Sequence, residues 1–228
     1  MAQPLYVFDL DETLIDGDCA MIWNEFLVDQ GVASSPGFLD EDKRLMALYA
    51  QGDMNMEDYL SFSMSPLAAM PKGEVMALVE QCVESRILPQ LYPNAKSLIT
   101  QLTQESVPML IISASIAFLV KAVATRIGVQ QSIGIDLVEK NGCFTHQVLG
   151  TPSYREGKVI RLQQWLREQA QPFSEIHFYT DSINDLPLCL FADQTYLVNP
   201  CEQLIAHAQV RQWPILSWSR SASFQHLL

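Results

Sequence analysis

Residues 5–13 read LYVFDLDET, an apolar segment that runs directly into two aspartates, Asp9 and Asp11. The apolar part is typical of a short buried strand. A strand that ends in Asp-x-Asp presents one carboxylate as a candidate nucleophile and a second one beside it as a candidate proton donor. The pattern alone is common in acidic proteins, so its interpretation depends on residues further along the chain.

Composition limits the fold class and the partners. The chain has 228 residues, 49% of them hydrophobic, and a formal net charge of −12. This composition indicates a globular protein, long enough for one sizeable domain with an insertion or for two small domains. An acidic protein binds phosphate backbones poorly, so no nucleic-acid partner is expected. No apolar run approaches the roughly 18 residues of a membrane helix, so no membrane association is expected.

The cysteines and the first residues predict a cytoplasmic protein. Five cysteines are widely spaced and form no Cys-x-x-Cys pair, which indicates reduced thiols and disfavours zinc. The first strand begins almost at Met1, and no signal-like segment precedes it.

The chain divides into two regions of different pattern. Residues 18–85 have apolar side chains at helical spacing, interrupted by Gly and Pro, which predicts about four helices. Residues 16–90 also contain 13 acidic and 4 basic side chains, a balance of −9. We interpret this charge mainly as solvated helix faces; if it affects the choice of substrate, it disfavours polyanions and tolerates an amine.

From residue 89 onward, strands and helices alternate. Strands are predicted at 107–112, 176–180 and 195–198, and helices near 93, at 116–127, 157–169 and 185–191, and after 200. A hairpin is predicted at 135–148, joined by Asn141-Gly142. The pattern predicts an α/β fold, a Rossmann-like and mostly parallel sheet with helices on both faces. Residues 1–15 and 89–228 would form the catalytic core, and residues 16–88 an inserted helical cap domain.

Polar side chains follow three of the predicted strands. Asp9 and Asp11 follow the first strand, Ser113 follows the strand at 107–112, and Asp181 follows the strand at 176–180. Lys158 lies at the beginning of its own helix. Ligands bind outside the C-terminal ends of such strands, and a sheet has no structural need for this set. We therefore predict a functional site at that edge.

The carboxylates indicate phosphoryl transfer. Three acids at one edge would repel one another unless a cation lies among them, and hard oxygen ligands favour Mg²⁺. Asp9 could then attack phosphorus and form an aspartyl phosphate. Asp11 would protonate the leaving alcohol and later deprotonate the hydrolytic water. Asp185 would orient either a metal-bound water or Lys158 rather than bind the metal directly.

A phosphoryl-binding subsite is predicted next to the carboxylates. The helix expected after Ser113 would begin with the backbone N–H groups of Ala114 and Ser115, which with the Ser113 hydroxyl form an anion site. Lys158 would balance the charge on the phosphoryl group during transfer.

In this order the motifs resemble those of the haloacid dehalogenase superfamily, most closely its phosphoserine phosphatase-like branch (subfamily IB). The matching positions are residues 9–13, Ser113, Lys158 and residues 181–185. The resemblance covers nearly the whole chain, because that branch also carries a helical (C1-type) cap after the first motif. It implies Mg²⁺ held by the Asp9 carboxylate, the Asp11 backbone carbonyl and Asp181. An acid at position 11 implies phosphatase or phosphomutase chemistry, since ion-pumping ATPases carry Thr there and dehalogenases lack the acid.

The resemblance also bears on the substrate. In phosphoserine phosphatases a cap glutamate shortly after the first motif binds the substrate amine, and Asp18 occupies a similar place. Their cap arginine, which binds the serine carboxylate, aligns with Ser63, although Arg44 or Arg86 could supply a guanidinium. Related enzymes act on histidinol phosphate, which has an amine and no carboxylate. Histidinol phosphate or a similar amino-alcohol phosphate is therefore expected ahead of phosphoserine.

Structural and functional alternatives remain open at this stage. Asp16 and Asp18 flank Gly17, so Asp18 could simply cap the first helix. Asn184 is expected to cap a helix rather than bind a ligand. A phosphomutase or phosphotransferase would share every motif, and a non-catalytic module would usually have lost an acid. The aromatic residues expected in the core of the cap, one of which could face a substrate ring, are Trp23, Tyr49 and Tyr59. The main prediction is a Mg²⁺-dependent phosphatase acting on a small phosphorylated metabolite.

Overall fold

The computed structural model describes residues 2–51 and 53–220. The strands are β1 (Leu5–Phe8), β2 (Met109–Ile116), β3 (Gln131–Ile135), β4 (Leu137–Lys140), β5 (Cys143–Val148), β6 (Ile176–Thr180), β7 (Gln194–Val198) and β8 (Ile215–Leu216). The helices are α1 (Cys19–Asp29), α2 (Phe38–Gln51), α3 (Met56–Ser63), α4 (Lys72–Cys82), α5 (Pro93–Gln104), α6 (Ala117–Ile127), α7 (Glu156–Arg167), α8 (Leu186–Phe191) and α9 (Glu202–Arg211). Within these ranges, no helix is long and apolar enough to cross a membrane.

A six-stranded sheet organises the fold, with the strand order β3-β2-β1-β6-β7-β8 and parallel pairing throughout. The predicted α/β fold with a parallel sheet is confirmed. The central strand β1 pairs with β2 on one side and with β6 on the other, and Phe8 lies opposite both Ile111 and Tyr179. The C-terminal part of β2 and the polar residues that follow β1 and β6 are therefore neighbours.

Both faces of the sheet are buried, which explains the continuous apolar sequence of its strands. Leu5 and Val7 of β1 belong to a core cluster that includes Leu162 of α7 and Leu188 of α8. Phe8 points to the opposite face and belongs to a second, larger cluster. This alternation follows from the two-residue period of a strand.

Among the described residues, four α-helices separate β1 from α5, as the periodicity of residues 18–85 predicts. We refer to residues 16–88 as the helical insertion. Its buried side chains, such as Trp23, Leu60 and Val79, belong to the same apolar cluster as Phe8 and as Val120 of α6. Burying apolar area against the rest of the chain is the main term that stabilises such an insertion.

The boundary between β2 and α6 differs from the prediction. Strand β2 continues to Ile116, so Ser113 lies within a strand, and the helix begins at Ala117. The helix predicted at 116–127 is confirmed as α6, but the expectation that Ala114 and Ser115 lie at its start is wrong. The physical reason is β3, a strand that the sequence did not reveal: β2 keeps pairing with it as far as Ile116, opposite Ile135, with a register shift on the way.

The hairpin of β4 and β5 is confirmed. Asn141 and Gly142 have φ angles of 53° and 76°. Both are left-handed, as a two-residue type I′ turn requires, and Asn-Gly is the dipeptide that favours this conformation. Ile135, which was expected to begin this hairpin, instead ends β3.

Candidate active site

Asp9, directly after β1, is buried and paired with Lys158. Lys158 is the third residue of α7, and its Nζ lies 2.7 Å from Asp9 Oδ1 and 2.7 Å from Asp185 Oδ1. Thr180 donates a hydrogen bond of 2.7 Å to Asp185 Oδ2. Burial alone would lower the pKa of Lys158, but the charges of Asp185 and Asp9 outweigh it and raise that pKa. The ammonium group is therefore held charged between two carboxylates.

Asp9 and Asp181 come together at the hydroxyl of Thr13. Thr13 Oγ1 lies 3.3 Å from Asp9 Oδ2 and 3.1 Å from Asp181 Oδ1. Burial raises the pKa of Asp9 to about 7, although the Lys158 charge opposes this shift. Burial and the charge of Asp9 also raise the pKa of Asp181 well above its ordinary value. Two desolvated carboxylates at one point have the charge and the oxygen donors that suit a divalent cation.

The donor set fits a magnesium ion held in part by the backbone. In the portion of the chain with described coordinates, no three His, Cys, Asp or Glu side chains form a metal-binding group. The backbone carbonyl of Asp11 is the expected third protein ligand.

The side chain of Asp11 is fixed by three hydrogen-bond donors. Its Oδ1 accepts from the backbone N–H of Cys19 at 2.7 Å, at the start of α1. Its Oδ2 accepts from the hydroxyls of Ser113 at 2.9 Å and Ser115 at 3.0 Å. Asp11 therefore joins the C-terminal end of β2 to the beginning of the helical insertion.

Ser113 lies below the site surface. It is fully buried; its hydroxyl donates to Asp11 and accepts from the backbone N–H of Ser115 at 2.9 Å. Its carbonyl accepts from Ser153 Oγ at 2.6 Å. The predicted anion site at a helix start is corrected accordingly: the N–H of Ser115 is part of a strand and already hydrogen-bonded. Ala114 and Ser115 nevertheless line the cavity described next.

A cavity lies between the sheet edge and the helical insertion. The last part of β2, the residues that follow β1 and β6, and the beginning of the insertion contribute Asp9, Asp11, Glu12, Asp18, Ala20, Ala114, Ser115, Asp181 and Ser182. The second and third helices of the insertion, and the segment between them, contribute Met46, Tyr49, Met54, Met56 and Tyr59. None of the described residues that line it is basic. The cavity therefore combines an acidic floor with a wall of aromatic and thioether groups.

Asp18 caps a helix and also lines the cavity. It is the N-cap of α1, where its Oδ1 accepts from the backbone N–H of Met21 at 2.9 Å. It also lines the cavity. Burial, followed by the charge of Asp11, raises the pKa of Asp18 to about 8.

Neither alternative arginine reaches the cavity. Arg44 pairs with Glu41, and Arg86 pairs with Asp29, each at 2.7 Å on the protein surface. Ser63, which aligns with the expected cap arginine, is buried. Trp23 and Tyr59 lie in the apolar core as predicted, and the partly buried Tyr49 packs against it. Tyr49 and Tyr59 also line the cavity.

Sequence reasoning missed several polar residues of the site and misassigned one. Thr13, Ser153 and Thr180 were given no role, although Thr13 lies four residues after Asp9 and Thr180 directly precedes Asp181. Asn184 was expected to be a helix cap, which is wrong: Ser182 Oγ accepts from the N–H of Asn184. The Asn184 side chain instead donates to the backbone carbonyl of Tyr49 in α2 at 3.1 Å.

Residues 6–189 match the sequence family described as haloacid dehalogenase-like hydrolase. The chain belongs to this family. Every candidate site residue named above lies within the matched range, so the family of hydrolases predicted from the four motifs is confirmed.

Proteins similar to this chain cover nearly its whole length. A histidinol-phosphatase of Neisseria meningitidis serogroup C is 31% identical over 94% of this chain and 98% of its own length. A crystal structure of a protein of unknown function from Bordetella pertussis Tohama I is 32% identical, with a TM-score of 0.87 over 95% of this chain and 99% of that one. A phosphoserine phosphatase solved as a phospho-aspartyl intermediate analogue has a TM-score of 0.68 at 19% identity, over 94% and 93% of the two chains. This last likeness concerns the fold alone.

Proposed function

We propose that the protein is a Mg²⁺-dependent phosphomonoesterase that acts through an aspartyl phosphate on Asp9. The observation that supports this most strongly is the arrangement around Asp9, which lies at the cavity floor with Lys158 on one oxygen and Thr13 and Asp181 beside the other. The Asp9 carboxylate is buried, and it lies near the fixed ammonium of Lys158 and near Asp181, which could share a cation with it. These surroundings suit a carboxylate that attacks phosphorus.

The proposed reaction has two displacements at phosphorus. In the first, an Asp9 oxygen bonds to phosphorus, the bond to the substrate oxygen breaks, and Asp11 gives its proton to the leaving alcohol. In the second, Asp11 takes a proton from water, the water oxygen bonds to phosphorus, and the bond to Asp9 breaks to release inorganic phosphate. Lys158 keeps Asp9 oriented and offsets negative charge throughout.

Magnesium would be held by Asp9, Asp181 and the Asp11 backbone carbonyl. When bound, it would neutralise phosphoryl charge and reduce the repulsion between Asp9 and Asp181. Thr13 would fix the relative position of those two carboxylates, since its hydroxyl contacts both.

Residues 16–88 act in this proposal as a cap on a core of residues 1–15 and 89–228. The cap supplies Met46, Tyr49, Met54 and Tyr59 to the cavity wall, so it contacts the part of the substrate that does not react. Such a cap excludes bulk water and selects the substrate. The five unpaired cysteines fit a cytoplasmic enzyme.

A small amino-alcohol phosphate is the proposed substrate, with histidinol phosphate ahead of phosphoserine. The described cavity lining contains acidic groups and no basic one, which favours an ammonium group and disfavours a carboxylate. Asp18 is the candidate partner of the amine. The relative from Neisseria meningitidis, named a histidinol-phosphatase, supports the same choice.

Phosphate release from a panel of substrates tests this function. The panel holds histidinol phosphate, phosphoserine, a sugar phosphate and a nucleotide, each assayed with Mg²⁺ and with a chelator. We expect metal-dependent release, fastest with histidinol phosphate. Equal or faster release from phosphoserine would contradict the proposed specificity. Transfer of the phosphoryl group to an added alcohol, with little free phosphate, would indicate a phosphotransferase instead.

A further inference from the structure

The segment between β5 and α7 contains a residue in a strained backbone conformation. Arg155 has φ 53° and ψ −124°, a region that L-residues rarely adopt because it strains their backbone. Glycine would adopt it freely. The arginine side chain therefore requires an explanation at this position.

Arg155 and its neighbour Tyr154 converge on Asn184. Arg155 Nε donates to Asn184 Oδ1 at 3.3 Å, and the Tyr154 hydroxyl lies 3.5 Å from the same oxygen. The Arg155 guanidinium also lies over the Tyr154 ring, 5.1 Å from its centroid. With its oxygen held in this way, Asn184 presents its Nδ2 group in one fixed direction.

That direction is toward the helical insertion. Asn184 Nδ2 donates to the backbone carbonyl of Tyr49, and the rings of Tyr49 and Tyr154 lie 5.5 Å apart. Tyr49 is in the last turn of α2, where backbone carbonyls have no partner within the helix. The interaction therefore satisfies an exposed end of α2, and the nearby guanidinium suits the negative end of the helix dipole.

We propose that Tyr154, Arg155 and Asn184 form a clasp that positions α2, and with it the Tyr49 wall of the cavity, over the reacting atoms. All three are positioning residues, because they act through Tyr49. The same segment carries Ser153, which hydrogen-bonds Ser113, and leads into Lys158. The clasp thus joins the cap to the elements that carry Ser113 and Lys158. Its kinetic consequences rest on the proposed phosphatase function, whereas its effect on α2 does not.

Two variants test the clasp. Arg155→Gly removes the guanidinium and relieves the backbone strain, so it should fold at least as well as the wild type. Tyr154→Ala removes the ring that packs on Tyr49. The matched control is Arg86→Ala, which breaks an exposed ion pair elsewhere in the helical insertion. Amide hydrogen exchange of α2 is measured together with kcat/KM for histidinol phosphate and for p-nitrophenyl phosphate, a substrate with little need for cap contacts.

We expect both clasp variants to exchange the α2 amides about ten-fold faster or more, while the control does not. We also expect kcat/KM for histidinol phosphate to fall about 10- to 100-fold, and that for p-nitrophenyl phosphate to change by less than about three-fold. Melting temperatures should show that Arg155→Gly is not destabilised.

Three results would overturn the clasp. If the α2 amides of the clasp variants exchange at the wild-type rate, the clasp does not restrain α2. Faster exchange with unchanged kinetics on both substrates rules out its positioning role. An equal loss on both substrates together with a lower melting temperature indicates a purely structural segment. If the wild type hydrolyses no phosphate ester, the proposed function fails, and the exchange measurement alone decides whether the clasp exists.

Discussion

At the scale of single residues, Lys158 has the most distinctive surroundings. A buried ammonium needs a carboxylate partner, and Lys158 has two, Asp9 and Asp185, so removing one leaves it paired with the other. A substitution of one of these two carboxylates can therefore change the activity without unfolding the protein.

Asp9→Asn is expected to abolish turnover and preserve the fold. The amide has nearly the shape of the carboxylate but is a poor nucleophile, and Asp185 still pairs with Lys158. We expect kcat to fall by about 10³-fold or more. Phosphate release measures the loss, and a melting curve checks the fold. Asp58→Asn on the exposed surface of α3 is the control, and wild-type activity in Asp9→Asn would disprove the mechanism.

Thr13→Val is expected to weaken metal binding more than it weakens folding. The substitution keeps the shape of the side chain and removes the hydroxyl that contacts both Asp9 and Asp181. Loss of such a contact around metal ligands typically lowers affinity about 10- to 100-fold. The Mg²⁺ concentration for half-maximal activity should rise accordingly, with nearly normal kcat at saturating metal. An unchanged Mg²⁺ titration would contradict this role.

At the scale of elements, the sequence predicts the position of a site residue best when that residue directly follows an apolar strand. Asp9 and Asp181 directly follow strongly apolar strands, so their place at the sheet edge is readable from neighbouring residues alone. Strand β3 was missed because Gln131, Ser132 and Gly134 interrupt its apolar pattern. A strand at the edge of the sheet, as β3 is, does not require a continuous apolar sequence. Without β3, nothing in the sequence indicates that β2 continues past Ser113.

The contacts of Asn184 could not be predicted for a different reason. Its hydrogen bond to Tyr49 joins residues 135 positions apart, and the acceptor is a backbone carbonyl that carries no sequence signal. Thr13 is a similar case, since its partner Asp181 is 168 positions away. Such contacts depend on how the helical insertion packs, which local pattern does not determine.

The segment before α7 provides a test at the scale of an element. A Cβ atom on Gly157 would lie 1.9 Å from the carbonyl oxygen of Pro152, so Gly157→Ala must displace backbone next to Lys158. We expect a loss of about 1–3 kcal/mol in the free energy of unfolding and a large loss of activity. Gly73→Ala in α4 is the matched control, because its Cβ would meet nothing within 4 Å. Denaturant unfolding of both variants measures the difference, and equal stability would contradict the close contact.

At the scale of the whole molecule, most of the net charge of −12 lies in residues 16–90, and some of the acidic side chains there are buried. Asp42 of α2 is buried beside Asn24, whose Nδ2 donates to it at 2.8 Å, and burial raises its pKa to about 6. The pKa of Asp18 is raised to about 8 by burial and by Asp11. Their ionisation opposes folding, so the stability of the whole chain is linked to pH.

The sign of this linkage gives the last prediction. A carboxyl group with a raised pKa binds more protons in the folded state than in the unfolded state between its two pKa values, so it lowers the free energy of unfolding as pH rises through that window. For Asp42 the window runs from about 4 to about 6. Asp42→Asn removes this term. Relative to the wild type, the variant should be more stable at pH 8 than at pH 5 by about 1–2 kcal/mol, after allowing for partial solvent screening. Urea unfolding of both proteins at the two pH values, in the presence of a chelator, measures this difference. If the stability of Asp42→Asn relative to the wild type stays constant or falls as pH rises, Asp42 ionises in the folded chain as readily as in the unfolded one.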